Sequence, residues 1–247
     1  MQTAGLRSLG RNDRYVAVHV PRGEVESALD RLAELGYRGV NVTVPHKEAA
    51  LRWALAADPF TLKVGAANTI DLVERAATNT DAPGFLDTLE QLHVFPPGPA
   101  LILGAGGSVR ALAPALAEAG FDLLLWNRTL SKVEAIRDEL APQAKILSWP
   151  DPGGCALVVN GTSAALHGDG DLGIVWPSAR GFDPPLAYDL VYGATPTAFL
   201  RAALAAGWRA VDGRLMLVAQ GARSLHWWLG VEPDRNAMLA ALEGSLK

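Results

Sequence analysis

Only one of the 247 residues is a cysteine, Cys155, so no intrachain disulfide can staple the fold, and the chain suits a reducing compartment, the cytoplasm. Long hydrophobic runs are also missing. Stretches such as Ala156-Leu157-Val158-Val159 are far too short to span a bilayer, and residues 1–14 lack the apolar core of a signal peptide, so no membrane association is expected. Basic charge is not in excess. A formal net charge of −4 argues against a general nucleic-acid binder, which needs concentrated Lys and Arg to displace counterions from phosphates. No internal repeat or low-complexity tract stands out, and no set of metal ligands is picked out. What is present is an ordinary globular composition, 49% hydrophobic and 19% charged over 247 residues, enough for one large domain or two small ones with a packed core.

The first part alternates strand and helix. Tyr15-Val16-Ala17-Val18-His19-Val20 reads as a short strand, and Val25, Leu29, Leu32 and Leu35 recur at helical spacing before Gly36 ends that element. Val40, Val42 and Val44 then alternate with Asn41 and Thr43, and Pro45 removes a backbone donor and closes the strand. A helix is expected over residues 46–57. Residues 66–73 and 77–80 form a predicted hairpin around Glu74-Arg75, and Asp81-Ala82-Pro83 is a helix start.

Phe95-Pro96-Pro97-Gly98-Pro99 resists both helix and interior strand and marks a domain junction. Beyond it, short apolar runs at 100–103, 123–126, 145–147, 156–159, 187–190 and 209–211 are separated by helical or turn-rich segments. That order describes an α/β fold with a parallel sheet wound on both faces.

Leu101-Ile102-Leu103-Gly104-Ala105-Gly106-Gly107 is a buried strand running into a glycine turn and then a helix over 109–119. Glycines there let backbone donors approach a pyrophosphate at a helix N-terminus. The match to the dinucleotide fingerprint is imperfect, because its third small residue falls on Val109, and a purely structural turn remains the alternative. About 20 positions on, folds that bind the non-phosphorylated cofactor place an acidic residue for the ribose hydroxyls. Here that place holds Asn127-Arg128-Thr129. A guanidinium beside amide and hydroxyl donors holds a 2′-phosphate that a carboxylate would repel, so the expected cofactor is NADP. In the plainer reading Arg128 is a solvated cation and Thr129 caps the helix beginning near Leu130.

Asn41-Val42-Thr43-Val44-Pro45-His46-Lys47 and Asn79-Thr80-Asp81 each end a strand at a chargeable residue. An ammonium and a carboxylate set around one polar substrate are a proton-transfer pair in outline. Taken singly the residues have ordinary readings. Lys47 is a solvated charge in the first turn of a helix, Asp81 an N-cap, Thr43 a strand residue, Asn68 a turn residue and His46 a packing or surface histidine.

An ordered set of segments resembles the shikimate dehydrogenase family over nearly the whole chain. It comprises Asn41 to Lys47, Gly65-Ala66-Ala67-Asn68-Thr69, Asn79 to Asp81, Gly104 to Gly107, Asn127 to Thr129, Asn160-Gly161-Thr162-Ser163, Asp189-Leu190-Val191-Tyr192, and Gly213 with Met216-Leu217-Val218-Ala219-Gln220-Gly221. The resemblance implies that Lys47 and Asp81 are the catalytic pair and that Thr43, Asn68, Tyr192 and Gln220 hold shikimate. It also implies that Gly104, Ala105, Gly106, Gly107, Ser108, Asn127, Arg128, Thr129, Lys132, Leu190, Gly213 and Met216 line the NADP site. The implied fold is an α/β substrate domain, 1–96 with a returning C-terminal helix at about 232–247, facing a Rossmann-like NADP-binding domain, 97–231, with the site in the cleft between them. The implied protein is a monomer or homodimer.

The implied reaction is reversible reduction of 3-dehydroshikimate to shikimate in aromatic amino-acid biosynthesis. Hydride addition to a ketone leaves an oxygen that needs a proton, which a lysine ammonium can supply. A quinate/shikimate dehydrogenase of broader specificity and a catalytically silent NADP-binding relative are the alternatives. The family also begins with a strand and a serine-x-serine loop that binds the substrate carboxylate, whereas Met1 to Leu6 resembles the helix after that loop. The expectation is that this sequence starts at an internal methionine of a longer polypeptide.

Overall fold

A computed structural model describes residues 1–96, 98–162, 172–179 and 184–245. Pro97, Ser163 and Leu246, which belong to segments discussed above, lie outside the described residues. The chain divides into two compact units, Met1–Phe85 with Leu217–Ser245, and Leu86–Met216. The division falls inside two helices, α5 (Asp81–Gln91) and α9 (Arg214–Leu229), whereas the boundaries read from sequence stand at 96/97 and 231/232. A proline-rich segment marks a loop, but a continuous helix can pass from one packing unit to the next.

In the first unit α1 (Gln2–Ser8) and α2 (Val25–Glu34) precede β1 (Gly39–Asn41), α3 (Lys47–Trp53), β2 (Ala56–Ala57), α4 (Pro59–Val64), β3 (Thr69–Asp71) and β4 (Ala76–Thr78), and α10 (Arg235–Gly244) follows α9. The four-stranded sheet has the order β1-β3-β4-β2, with β1 and β4 antiparallel to β3 and β2 parallel to β4. The register sets Asn41 opposite Thr69 and Thr69 opposite Thr78. The hairpin expected around Glu74-Arg75 is present. Asp71 Oδ1 accepts from the Val73 and Glu74 amides at 2.9 and 3.0 Å, and Arg75 takes the positive φ of 50°. Val25, Leu29, Val42, Ala50, Trp53, Ala67, Ile70 and Ala77 form one core, and Leu6, Val218, Ala222, Leu225, Met238 and Leu242 form another.

Two local expectations are corrected, and one element is added. Residues 15–20 form no strand: Val16 and Val18 are 49% and 54% exposed, and without a partner ladder β-propensity alone makes no strand. Tyr15 is instead tied by its side chain, donating to Asn41 Oδ1 at 2.8 Å. The helix expected over 46–57 stops at Trp53. Ala54 turns extended (ψ 147°), the Leu55 amide bonds Arg75 O at 2.7 Å, and Ala56 and Ala57 join the sheet as β2, so pairing overrides the helix propensity of alanine. Helix α4 was not expected. It is locally well specified, however: Asp58 Oδ1 accepts from the Thr61 amide, Pro59 opens the first turn, and Gly65 closes it at φ 73°.

The second unit contains every strand expected beyond the proline segment. These are β5 (Pro99–Leu103), β6 (Asp122–Trp126), β7 (Lys145–Ile146), β8 (Leu157–Asn160), β9 (Leu186–Asp189) and β10 (Arg209–Val211), with α6 (Gly107–Glu118), α7 (Leu130–Leu140) and α8 (Ala198–Ala205). All pair in parallel in the order β10-β9-β8-β5-β6-β7. The chain therefore winds outward from β5 through β6 to β7 and returns to the other side of β5 as β8. That reversal is the switch point at whose carboxyl strand ends such sheets bind ligands.

Among the described residues no helix is long and apolar enough to cross a membrane. Cys155 is buried (5% exposed), and desolvation, followed by the nearby Asp151 carboxylate, pushes its thiol up to about 11. We expect no rapidly reacting thiol in the native protein at pH 8 and one per chain after denaturation. Rapid native labelling by a disulfide reagent would contradict this burial.

Candidate active site

Helices α3 and α5 begin at the two residues that matter most, Lys47 and Asp81. A cation at the first position of a helix is opposed by the helix dipole, and burial adds a desolvation cost. Lys47 is nonetheless only 8% exposed and Asp81 5%, and Lys47 Nζ donates to Asp81 Oδ2. The solvated-cation reading of Lys47 is thereby excluded. Asp81 sits at the favourable end of α5, and its other oxygen accepts from Asn68 Nδ2 at 2.7 Å, so its carboxylate engages two side chains from other elements.

The backbone around the pair is closely tied. The Ala67 amide bonds Lys47 O at 3.0 Å, the Asn68 amide bonds Thr78 O at 3.2 Å, and the Val42 amide bonds Asn68 O at 2.8 Å. Asn79 accepts from the Asp81 amide at 3.0 Å and donates to Ala66 O at 2.8 Å.

Both neighbouring amides have a determined orientation. The Thr80 backbone amide can only donate, so the Asn68 atom 2.8 Å from it is the oxygen, and the Asn68 Nδ2 group must face Asp81 and Gln220. Leu217 O can only accept. Gln220 Nε2 therefore bonds it at 3.0 Å, and Gln220 Oε1 accepts from Asn68 Nδ2 at 3.1 Å.

Close backbone approach holds this arrangement. A Cβ on Gly84, in the first turn of α5, would lie 2.7 and 2.8 Å from the Gln220 N and Cα, so only glycine lets α5 and α9 come this near.

Of the residues expected to hold substrate, the structure brings Asn68 and Gln220 together with Lys47 and Asp81. Thr43 lies in the turn between β1 and α3, exposed, its carbonyl accepting from the His46 amide at 3.0 Å. Tyr192 belongs to the second unit, in the turn after β9, and is 39% exposed. Sequence reasoning missed Thr69 and Ser224, which are fully buried, and Asn41 as a side chain in the same network. The spacing of Gln220 and Ser224, four residues apart on α9 and hence on one face, was the available signal.

In the second unit the glycine turn has the form a dinucleotide needs. Gly104 adopts φ 108°, and a Cβ there would lie 2.9 Å from the Gly161 backbone. Gly106 is the extended N-cap of α6, and a Cβ there would meet nothing within 4 Å, so the loop leaves open space beside a helix N-terminus that fits a pyrophosphate. Val109, the departure from the fingerprint, is accommodated across the switch point. A Cβ on Gly161 would lie 2.4 Å from Val109 Cγ2, so the small residue has moved to the facing strand end.

The Gly104 amide bonds Trp126 O at 2.8 Å, which brings the glycine turn beside the start of Asn127-Arg128-Thr129. Arg128 and Lys132 are exposed, and among the described residues no carboxylate pairs with either. Thr129 occupies the N-cap position of α7 without a side-chain cap bond, and Asn127 Nδ2 donates to Thr129 O at 2.9 Å. A Cβ on Gly213 would lie 2.2 Å from Leu190 O, and the Met216 amide donates to the Tyr188 hydroxyl at 3.1 Å. Among the described residues no cluster of His, Cys, Asp or Glu could hold a metal ion.

The matching family models and curated relatives carry one name, and similar solved structures include, besides shikimate dehydrogenases, a 5-ketofructose reductase of Gluconobacter at 28% identity and a TM-score of 0.81, over 99% of this chain and 92% of that one. The description "Shikimate dehydrogenase substrate binding domain" matches residues 1–70, and "Shikimate 5′-dehydrogenase C-terminal domain" matches 213–243. The NADP(+) shikimate dehydrogenase of Hyphomonas neptunium is 41% identical over 227 residues, 89% of this chain and 82% of that protein. A Thermus thermophilus enzyme of the same name is 38% identical over 256 residues, 100% of this chain and 92% of that protein. The crystal structure of shikimate 5-dehydrogenase from Thermus thermophilus in complex with NADP(H) and shikimate has a TM-score of 0.89 to this chain at 36% identity. That match covers 99% of this chain and 92% of the other.

We expect Gly84→Ala to fold with a lower thermal midpoint, an overpacking cost of about 1–3 kcal/mol, and to lose at least about tenfold in turnover as Gln220 and Asp81 are forced apart. Thermal unfolding with an activity assay checks this; full activity would show that the close approach has no bearing on the site.

Proposed function

Because the chain belongs to the shikimate dehydrogenase family, we propose that it catalyses the reversible NADP-dependent reduction of 3-dehydroshikimate to shikimate, a step of aromatic amino-acid biosynthesis. The observation that carries the reading is the buried Lys47–Asp81 pair, with Asn68 and Gln220 oriented around it. Bound NADPH supplies the hydride. Reduction leaves the former carbonyl oxygen needing a proton, and the Lys47 ammonium delivers it. Asp81 holds Lys47 through the ion pair and accepts from a substrate hydroxyl. Asn68 and Gln220 contribute further donors and acceptors, and Thr43 and Tyr192 complete the substrate contacts. In the oxidative direction the Lys47 amine takes the proton back.

Arg128, flanked by Asn127 and Thr129 and followed by Lys132, holds the 2′-phosphate, and the segment from Gly104 to Ser108 holds the pyrophosphate. Leu190, Gly213 and Met216 complete the cofactor site. Exposure of Arg128 without a carboxylate partner among the described residues supports this reading, because a paired guanidinium would have to give up its partner first. We assign the enzyme to the cytoplasm, in keeping with its single buried cysteine, acting as a monomer or homodimer.

A steady-state assay tests the reading. The purified protein should reduce 3-dehydroshikimate with NADPH and far less well with NADH. Lys47→Ala should lower turnover by about 10²- to 10⁴-fold with little change in NADPH affinity. Arg128→Ala should weaken NADPH far more than NADH. No turnover by the unaltered protein would overturn the activity, and equal losses for both cofactors would remove the role of Arg128.

A further inference from the structure

Behind the reacting pair lies a fully buried hydroxyl that the mechanism above does not use. Ser224 Oγ is 0% exposed and donates to the Gln220 carbonyl, one helical turn back, at 2.9 Å. Three segments distant in sequence converge on it. Asn41 Nδ2 donates to it at 2.7 Å, the Thr69 hydroxyl lies at 2.8 Å, and the Thr80 hydroxyl at 3.2 Å. A hydroxyl has one proton. With that proton on the Gln220 carbonyl, Ser224 is the acceptor for Asn41 and Thr69.

The far side of the same threonines is Asn68. With its one proton on Ser224, Thr69 accepts from the Thr80 hydroxyl at 3.1 Å, and Thr80 Oγ1 accepts from Asn68 Nδ2 at 3.0 Å. Asn68 in turn donates to Asp81 at 2.7 Å. Asn41 is itself held from behind, its Oδ1 accepting from Tyr15 at 2.8 Å and from Gln2 at 3.1 Å. We propose that Ser224 is a positioning residue for the reaction. It ties the Gln220 turn of α9 to β1, β3 and the start of α5, and so sets the Asn68 amide that aligns the Asp81–Lys47 pair.

Removal of the hydroxyl leaves the Asn41 amide and the Thr69 hydroxyl without their shared acceptor in a buried site, and the network relaxes by rotating those side chains. The effect reaches the chemistry through Asn68 and the Gln220 turn that meets it. It should therefore fall on proton transfer and spare the cofactor.

The role rests on the proposed reductase activity, and the test separates the two. Ser224→Ala and the near-isosteric Thr69→Val are compared with the unaltered protein by circular dichroism, by nitrogen-15 NMR of the Asn68 side-chain amide, and by turnover. The Asn68 resonances, identified by their loss in Asn68→Ala, should move and exchange faster with solvent in both variants. Turnover of 3-dehydroshikimate should fall about tenfold, the size of one misplaced hydrogen bond, with a larger solvent deuterium isotope effect and an unchanged KM for NADPH.

The double variant should fall little further than the worse single one. If Ser224→Ala fails to fold, Thr69→Val alone carries the comparison. Unmoved Asn68 resonances in folded variants, or a loss shared by the NADPH KM with an unchanged isotope effect, would overturn the positioning role. Resonances that move in a protein with no turnover would keep the role and sink the activity instead.

Discussion

One buried ion pair governs how the first unit is built. A lysine at the first position of a helix, 8% exposed, is opposed by the helix dipole and by lost hydration, and the carboxylate that offsets both costs comes from the start of another helix. Removing one partner from such a pair costs about 3–5 kcal/mol, far more than an exposed pair is worth. Much of the nearby polar structure follows from that constraint. Asn68, fixed in one orientation by the Thr80 amide, supplies a second donor to Asp81, and Gln220 is fixed by Leu217 O to accept from Asn68. The glycine at 84 exists because α5 and α9 must nearly touch for those groups to meet.

The second unit meets a different constraint, the reversal of winding between β5 and β8. Gly104 and Gly161 face each other there with no room for a Cβ, while Gly106, at the start of α6, opens onto space. The same crowding explains why the fingerprint departs at Val109: the side chain fills the gap that glycine at 161 leaves. A sequence rule anchored to one strand sees a mismatch where the packed pair of strand ends shows a compensated exchange.

How far the molecule could be read from its residues varies with the range of the interactions. The parallel sheet was legible because each strand is a short apolar run bounded by turns, a local signal. The hairpin at Glu74-Arg75 was legible for the same reason. Residues 15–20 misled because strand propensity is local but a ladder partner is not, and the helix expected over 46–57 was overrun by pairing of Ala56 and Ala57 with β4. Lys47, Asp81, Asn68 and Gln220 could be named from the family resemblance, but burial and amide orientation decide what they do. Thr69 closes a family-like segment but was given no role there, and Ser224 lies in no such segment. The i, i+4 spacing to Gln220 places Ser224 on the right face of α9, but its contact with Thr69 spans 155 residues of chain, which no local spacing displays.

The central claim is that Lys47 and Asp81 act as one proton-donating unit. A double-mutant cycle on kcat for reduction of 3-dehydroshikimate, with Lys47→Met, Asp81→Asn and the two combined, addresses it most directly. The account predicts that each single change costs about 10²- to 10⁴-fold and that the double variant is hardly worse than the more damaged single one. Losses that multiply in the double variant would show two independent contributions and contradict the account.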